Sequence, residues 1–590
     1  MMKNVLKEYF GYDDFRPGQR TLIQNALNHH ATLGILPTGG GKSICYQIPG
    51  IMKGGLTLVI SPLISLMKDQ VDSLNASGIR AAFLNSTQKV KEARLIEAGL
   101  LKGEYQFLYV APERFNQKSF LNLLYQLDIQ LVAFDEAHCI SKWGHDFRPS
   151  YRESIHFVLS LPHNFTIMAL TATATVDVKN DICELLLIDQ QHVIETSTKR
   201  DNLKFMIDPT YQKQKRLLSY IREHIDDSGI VYANTRKQVE SLSEVLKNED
   251  IPHTIYHAGL NKDVKDENQS KFVRDDIKVM IATNAFGMGI DKSNVRYVIH
   301  YNLPQDLESY YQEAGRAGRD GLESECLLMY SDQDIKLQQF FIETSRDESV
   351  IEQKKEKLNK MIAYTKTKQC LQATIINYFN PNEHLSKCEQ CTNCVQQVEN
   401  YNMTTEAKKI LSCIIRIKTP VHKLMITKVL HGETDDAIMN AAYHTLPTFG
   451  LLKNYTTSAI QSFIETLLFN GYIVEIDGKI YCHEHARDIL MGDTQVMTYY
   501  KNASYNERVT IKTMDSVDEI LLKTLKDVRK RLSDELSVPP FTIFSDHTLH
   551  LFALKKPTTK DEMIQIEGVG SYKLKHYCPE FIEAIKAYAA

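Results

Sequence analysis

Pro37-Thr38-Gly39-Gly40-Gly41-Lys42-Ser43 follows an apolar run at 32–36 and opens an amphipathic stretch. Strand, glycine-rich turn and helix together form a phosphate cradle. Consecutive glycines let backbone N–H groups approach phosphate oxygens with no Cβ in the way, and the helix N-terminus adds its positive dipole end. Thr38, Gly39, Gly40 and Gly41 make the loop, Lys42 can reach the outer phosphates, and the Ser43 hydroxyl can ligate Mg2+. One position departs from the usual spacing: where the pattern places its first glycine, this chain has Leu36. The plainer reading is a glycine-rich turn opening an ordinary helix.

Asp135-Glu136-Ala137-His138 weighs against that plainer reading. It directly follows the apolar run 131–134, and a carboxylate at the C-terminal end of a parallel strand sits over the phosphate loop. Asp135 is then expected to hold Mg2+, and Glu136 to orient and deprotonate the attacking water. An acidic helix cap would use Asp equally well. Further on, Gln312-Glu313-Ala314-Gly315-Arg316-Ala317-Gly318-Arg319 reads as a helix with two arginines on one face. From across a cleft, Arg316 and Arg319 can neutralise charge developing on a γ-phosphate, or they can belong to a solvated charged helix.

The surroundings set the fold class. Apolar runs at 32–36, 56–61, 107–111, 131–134 and 166–170 alternate with amphipathic stretches. A second series follows at 229–233, 279–283, 295–301 and 325–330. Strands alternating with helices mean parallel sheets with crossover helices, so two α/β lobes are expected, divided within 200–209. Beyond 337 the pattern turns helical and charged. Residues 405–495 hold helical patterns and then two strand-like runs about Asp477-Gly478, a hairpin signal. Helices followed by such a wing read as a winged-helix domain, with a recognition helix at 457–469. Two polar stretches, 395–404 and 499–515, read as linkers, and 516–590 as a small helical module. The expected division is 1–205, 206–337, 338–402, 403–500 and 514–590, a multidomain α/β chain.

Composition narrows the partners. A net charge of −4 excludes a histone-like cationic binder, so nucleic-acid contact must come from local patches. There is no apolar run long enough to span a bilayer, and Met1 to Glu8 lacks the apolar core of a secretion signal, which favours the cytoplasm. Seven of the eleven cysteines are scattered; Cys370, Cys388, Cys391 and Cys394 are grouped. Four thiolates suit a closed structural Zn2+ site, although Cys-x2-Cys-x2-Cys also occurs in iron–sulfur proteins.

Taken in order, these motifs resemble the RecQ family of superfamily 2 DNA helicases, its bacterial members in particular. The resemblance runs from about Leu6 to the C-terminus. Phe10-Gly11-Tyr12 with Phe15-Arg16-Pro17-Gly18-Gln19 is similar to the family's adenine motif, which implies that Gln19 reads the adenine edge, Tyr12 stacks on the ring and Arg16 assists. The stretches 61–70, 169–174 and 232–236 resemble motifs Ia, III and IV. Motif V is matched by 282–292, which implies that Thr283 faces DNA while Gly287 and Asp291 line the nucleotide cleft. Ser141 to Tyr151, holding the chain's only Trp, resembles the family's aromatic-rich loop. Trp143 and Phe147 can stack on bases, worth about 1–3 kcal/mol each, and Arg148 can pair with a phosphate. A core Trp in a Pro-terminated loop is the plainer alternative.

The resemblance also favours zinc over iron–sulfur at the cysteines. Here the chain departs again: Leu371-Gln372 follow Cys370 where the family has arginines. The tail resembles the HRDC module, with Gly568-Val569-Gly570 suited to a phosphate and a basic run at Lys523, Lys526, Arg529, Lys530 and Arg531; a solvated charged face is the alternative. As a whole the resemblance implies RecA-like lobes, ATP with Mg2+, 3′ to 5′ movement on single strands, and unwinding in DNA repair and recombination. It implies a monomer in the cytoplasm at the nucleoid, with no membrane role. Its partners would be single-stranded and forked duplex DNA and single-strand-binding protein.

Overall fold

The computed structural model describes every residue except 63, 86–87, 89, 143, 145–146, 163, 211, 288–291, 345–347, 381–382, 384, 386, 396–398, 470–471, 477, 484–485, 493, 501–517 and 590. The chain divides into two compact units, residues 1–395 with 513–590, and residues 396–512.

The first unit contains two parallel sheets. In chain order the strands of the first are β1 (Thr32–Ile35), β2 (Leu56–Ile60), β3 (Ala81–Leu84), β4 (Phe107–Val110), β5 (Ile129–Phe134), β6 (Thr166–Thr171) and β7 (Val193–Glu195). They lie in the order β3-β4-β2-β5-β6-β1-β7, and every recorded pairing is parallel. The second sheet holds β8 (Leu203–Pro209), β9 (Ser228–Tyr232), β10 (His253–Tyr256), β11 (Val279–Ala282), β12 (Val295–His300) and β13 (Ser324–Tyr330), in the order β10-β11-β9-β12-β13-β8. The central strands are apolar because helices cover both faces. β8 begins at Leu203, so the second sheet starts inside the stretch read as the interlobe division.

Helices Asp332–Glu343, Glu348–Lys366 and Leu371–Phe379 follow and share a core with the second sheet. Tyr364 packs against Tyr310 with ring centroids 5.4 Å apart, and Leu358, Met361 and Leu371 belong to the same apolar cluster as Phe205 and Val298. The C-terminal helices, Glu519–Leu536 to Cys578–Ala589, have their own core around Phe544, Phe552 and Phe581 and rest on both lobes. Gly568 N–H donates to the Gly11 carbonyl at 3.1 Å. A Cβ on Gly11 would lie 2.5 Å from the Val569 nitrogen, and Gly11 has φ 76°, so this contact requires glycine. On the second lobe, Lys530 Nζ reaches Asp276 at 2.6 Å and the Arg274 carbonyl at 3.0 Å.

These contacts correct the reading of the tail. The Gly568-Val569-Gly570 turn, suited by its sequence to a phosphate, packs against the N-terminal segment. Of the basic run, Arg529 is buried and pairs with Asp546 at 2.7 Å, Lys530 faces Asp276, and Arg531 pairs with Glu580.

The second unit is a helical domain with a hairpin. Helices Thr404–Ile417, Lys423–His431 and Thr457–Phe469 enclose a core that includes Ile473 and Ile480 of the hairpin β15 (Ile473–Ile476) and β16 (Lys479–Cys482). Strand β14 (Glu399–Asn402) pairs antiparallel with β17 (Met497–Tyr500). The first lies within a stretch read as a linker and the second overlaps the start of the other, neither of which gave a strand signal. Asp477 at the hairpin tip lies outside the described residues.

Candidate active site

The glycine loop leaves the C-terminal end of β1 and enters the helix Lys42–Lys53. Leu36 explains its own departure from the glycine pattern: it is 1% exposed, and its N–H donates to the Thr171 carbonyl at 3.0 Å. Position 36 still bonds to the neighbouring strand just past the end of β1, so the tight turn begins one residue later. Gly41 sits at φ 73°, and a Cβ there would lie 2.5 Å from Gln19 Nε2. Gln19 donates to the carbonyls of Gly40 and Gly41 at 3.1 Å each, and its Oε1 accepts from Arg16 N–H at 2.9 Å. The Arg16 guanidinium donates to the Gly39 carbonyl. In this structure the adenine-motif side chains therefore brace the loop.

One cleft of about 320 Å3 collects most of the expected residues: Tyr12, Arg16, Gln19, Thr38, Gly39, Gly41, Lys42, Ser43, Asp135 and Glu136 from the first lobe, and Arg316 and Arg319 from the second. Asp135 is held at the end of β5 by its N–H, which donates to the Ile60 carbonyl at 2.9 Å. Glu136 occupies the left-handed region at φ 49°, an uncommon conformation for a side-chain-bearing residue and one that clusters at functional sites. Burial pushes its carboxyl up, but Lys42, the hydrogen bond from His138 and the charge of Arg319 outweigh that and hold it well below the carboxylate range. Glu136 is therefore ionised at neutral pH, an acceptor aimed at a cationic cleft.

His138 extends the network. Its Nδ1 lies 3.3 Å from Glu136 and 3.0 Å from Thr171 Oγ1, and Thr171 donates to the Thr173 carbonyl at 3.0 Å. The sequence alone attaches no role to His138. Glu567 of the C-terminal helices also lines the cleft, a residue that no motif flagged.

The arginine pair corrects the sequence reading. Arg316 and Arg319 do not lie on a helix: the helix Leu307–Ala314 ends at Gly315, and turns follow through Gly318 at φ 58°. Glycine at 315 and 318 breaks the helical run, yet both side chains still face the cleft. Gly287 lies beside this turn, and a Cβ on it would be 3.8 Å from Arg316 Nη2. Asp291 lies outside the described residues, and Ser293 lines the cleft nearby.

The DNA-facing candidates are less exposed than their motifs suggest. Thr283 is buried, and its Oγ1 accepts from Ala285 N–H at 3.4 Å. Arg148 donates to the Pro62 carbonyl at 2.6 Å, tying the aromatic loop to the motif Ia segment. Phe147 is half-buried, and Trp143 lies outside the described residues.

Cys370, Cys388, Cys391 and Cys394 converge, with all four Sγ atoms within 4.8 Å of one another. The Cys370 and Cys391 sulfurs are 4.0 Å apart; a tetrahedron with Zn–S bonds of 2.3 Å spaces its sulfurs roughly 3.8 Å apart. Backbone N–H groups of Leu371, Ala373, Cys388 and Cys391 point at the sulfurs at 3.2–3.4 Å, the outer-shell support that stabilises thiolates on a metal. The donor set fits Zn2+.

A glycine loop and a carboxylate pair on one parallel sheet, facing arginines from a second across one cleft, define a two-lobed nucleotide-driven motor of the helicase class. Five family models match in chain order: DEAD/DEAH box helicase at 16–182, helicase conserved C-terminal domain at 212–321, RecQ zinc-binding at 332–395, RQC domain at 397–507 and HRDC domain at 518–585. The ATP-dependent DNA helicase RecQ of Bacillus subtilis is 44% identical over 591 residues, covering 100% of this chain and 98% of that one. RecQ of Haemophilus influenzae is 37% identical over 597 residues, covering 100% and 96%. A mimivirus protein named a putative ATP-dependent RNA helicase is 34% identical over 493 residues, covering 81% and 89%. The chain belongs to the RecQ family and is an ATP-dependent DNA helicase with a zinc-binding domain.

Proposed function

We propose that the enzyme moves 3′ to 5′ along single-stranded DNA, opening duplexes in repair and recombination, through an ATP-driven cycle of cleft closure. The observation that carries this reading is the single cleft lined by Lys42, Ser43, Asp135 and Glu136 from one lobe and Arg316 and Arg319 from the other. Lys42 and the loop N–H groups bind the triphosphate, with Tyr12, Arg16 and Gln19 at the base. Ser43 and Asp135 would hold Mg2+, which would neutralise phosphate charge. Glu136, kept ionised by its cationic neighbours, orients the attacking water and accepts its proton. Arg316 and Arg319 stabilise charge on the leaving phosphate, an effect typically worth roughly 10³–10⁵ in rate.

Closure with ATP and opening after phosphate release alternate which lobe grips the strand. Opening a base-pair step costs about 1.4 kcal/mol of stacking. The aromatic loop follows Asp135–His138 in the chain; in this reading Trp143 and Phe147 report strand occupancy to Glu136, and Thr283 and Arg148 belong to the same DNA path. Single-strand-binding protein is the expected partner, and the enzyme is expected to act as a cytoplasmic monomer at the nucleoid.

Unwinding of matched duplexes carrying either a 3′ or a 5′ single-stranded tail tests the reading. Opening confined to the 3′-tailed duplex is the expected result; preference for the 5′ tail would overturn the polarity.

A further inference from the structure

Arg200 belongs to none of the motifs above, yet it occupies the point where three parts of the first unit meet. It lies in the connection between β7, the last strand of the first sheet, and β8, the first of the second. It is 8% exposed. Its guanidinium forks across the lobes. One Nη donates to the Thr38 carbonyl in the glycine loop. The other donates to the Ala317 and Gly318 carbonyls, at 3.2 and 2.7 Å, in the turn that carries Arg316 and Arg319. Nε donates to Asn202 Oδ1 at 3.2 Å, and Asn202 in turn holds the Gly318 and Leu322 carbonyls at 2.7 and 2.9 Å. The zinc domain closes the arrangement from behind: Gln372, two residues after the ligand Cys370, donates to the Arg200 carbonyl at 2.6 Å.

All the acceptors of the guanidinium are neutral oxygens; burial works first against its charge, Tyr311 and Cys326 favour it, and two other arginines, Arg319 and Arg16, oppose it. Holding a buried cation among like charges is costly. A simple packing role would be filled at less cost by an apolar side chain. The planar fork does what an apolar side chain cannot: in this arrangement of the cleft it bonds backbone segments of both lobes at once.

We propose that Arg200 is a positioning residue for ATP hydrolysis, a strap that joins the phosphate loop to the arginine-bearing turn when the cleft is closed and lets go when it opens. It touches neither the reacting phosphate nor the water. It acts by placing Arg319 against a loop it also holds, and Gln372 makes its own placement depend on the zinc domain. The inference rests on the cleft reading given under Proposed function.

The test uses the full chain with saturating single-stranded DNA. Steady-state ATPase is measured for wild type, Arg200→Ala, Arg200→Lys, Gln372→Ala, Arg319→Ala and the Arg200→Ala/Arg319→Ala double variant. Arg200→Ala is expected to lower kcat about tenfold or more while KM for ATP moves less than about threefold, as for misplacement of a catalytic group. Lysine, with one point charge in place of a fork, should recover only part of the loss, and Gln372→Ala should fall in between. The double variant should be within about twofold of Arg319→Ala alone, because partners in one function do not add.

Additive losses in the double variant, or wild-type kcat in both Arg200 variants, would overturn the proposal. If Arg200→Ala does not fold, as judged by its thermal midpoint, the lysine variant and its own double with Arg319→Ala decide the matter by the same criteria. Lys42→Ala separates the two levels. ATPase retained there would mean that the cleft reading itself fails; loss there with full activity in the Arg200 variants would mean that only this inference fails.

Discussion

The Nδ1 of His138 lies 3.3 Å from the Glu136 carboxylate. The same ring reaches Thr171 at 3.0 Å, so the proposed water-orienting carboxylate is linked through one buried histidine to the end of β6. His138→Ala should leave Glu136 present but unsteered. The expected outcome is a fall of about 10–100-fold in DNA-stimulated kcat with KM for ATP little changed, read from steady-state hydrolysis. Equal changes in both constants would place the histidine in binding instead.

Lys42 supplies a cation at the end of the phosphate loop and also lowers the Glu136 carboxyl. Lys42→Ala should abolish ATP hydrolysis while single-stranded DNA binding, followed by fluorescence anisotropy, remains measurable. Hydrolysis that survives would place the nucleotide elsewhere.

The four-cysteine centre shares the apolar core of the second lobe. Elemental analysis of the purified chain should find one zinc per molecule and iron at background. Cys388→Ser should lose most of that zinc and lower the thermal midpoint by several degrees, because binding energy at such a site is folding energy. An unchanged midpoint after zinc loss would separate the metal from the fold.

Asp306 caps the helix Leu307–Ala314, its Oδ1 accepting from Ser309 N–H at 2.7 Å. Burial, then the charge of Glu308, raises its carboxyl to about 6. The folded state therefore keeps a proton that the unfolded state gives up near the ordinary value, so this group's contribution to stability falls as pH rises from about 4 to about 6. Asn caps as well as Asp and does not titrate. Asp306→Asn should thus gain thermal midpoint relative to wild type across that interval and hold the gain above it. A constant difference from pH 4 to pH 7 would contradict the assignment.

Much of the engine was legible because its chemistry demands particular residues next to apolar strands. Gly39 to Ser43 follows Thr32–Ile35, and Asp135-Glu136 follows Ile129–Phe134, so motif and element marked each other. The strands without a sequence signal were short or lay at edges: Ala81–Leu84 is four residues, Val193–Glu195 is half-buried, and His253–Tyr256 begins with a histidine. Arg316 and Arg319 were found with the wrong local structure, because their i, i+3 spacing suggests a helix that the stop signals Gly315 and Gly318 in fact end.

Gly568 and Gly570 did signal a close approach, but a glycine cannot say what approaches, and here it is Thr548 at Gly568 and the Glu8 and Tyr9 carbonyls at Gly570 rather than a phosphate. Arg200 carried no signal. Its partners are backbone carbonyls far apart in sequence, and any residue can supply those.

The central claim is that DNA gates the ATPase cleft between the two lobes. Steady-state ATP hydrolysis without nucleic acid, with single-stranded DNA and with RNA of matched sequence tests it most directly. The account predicts strong stimulation by DNA and little by RNA. Equal stimulation by both, or none by either, would contradict it.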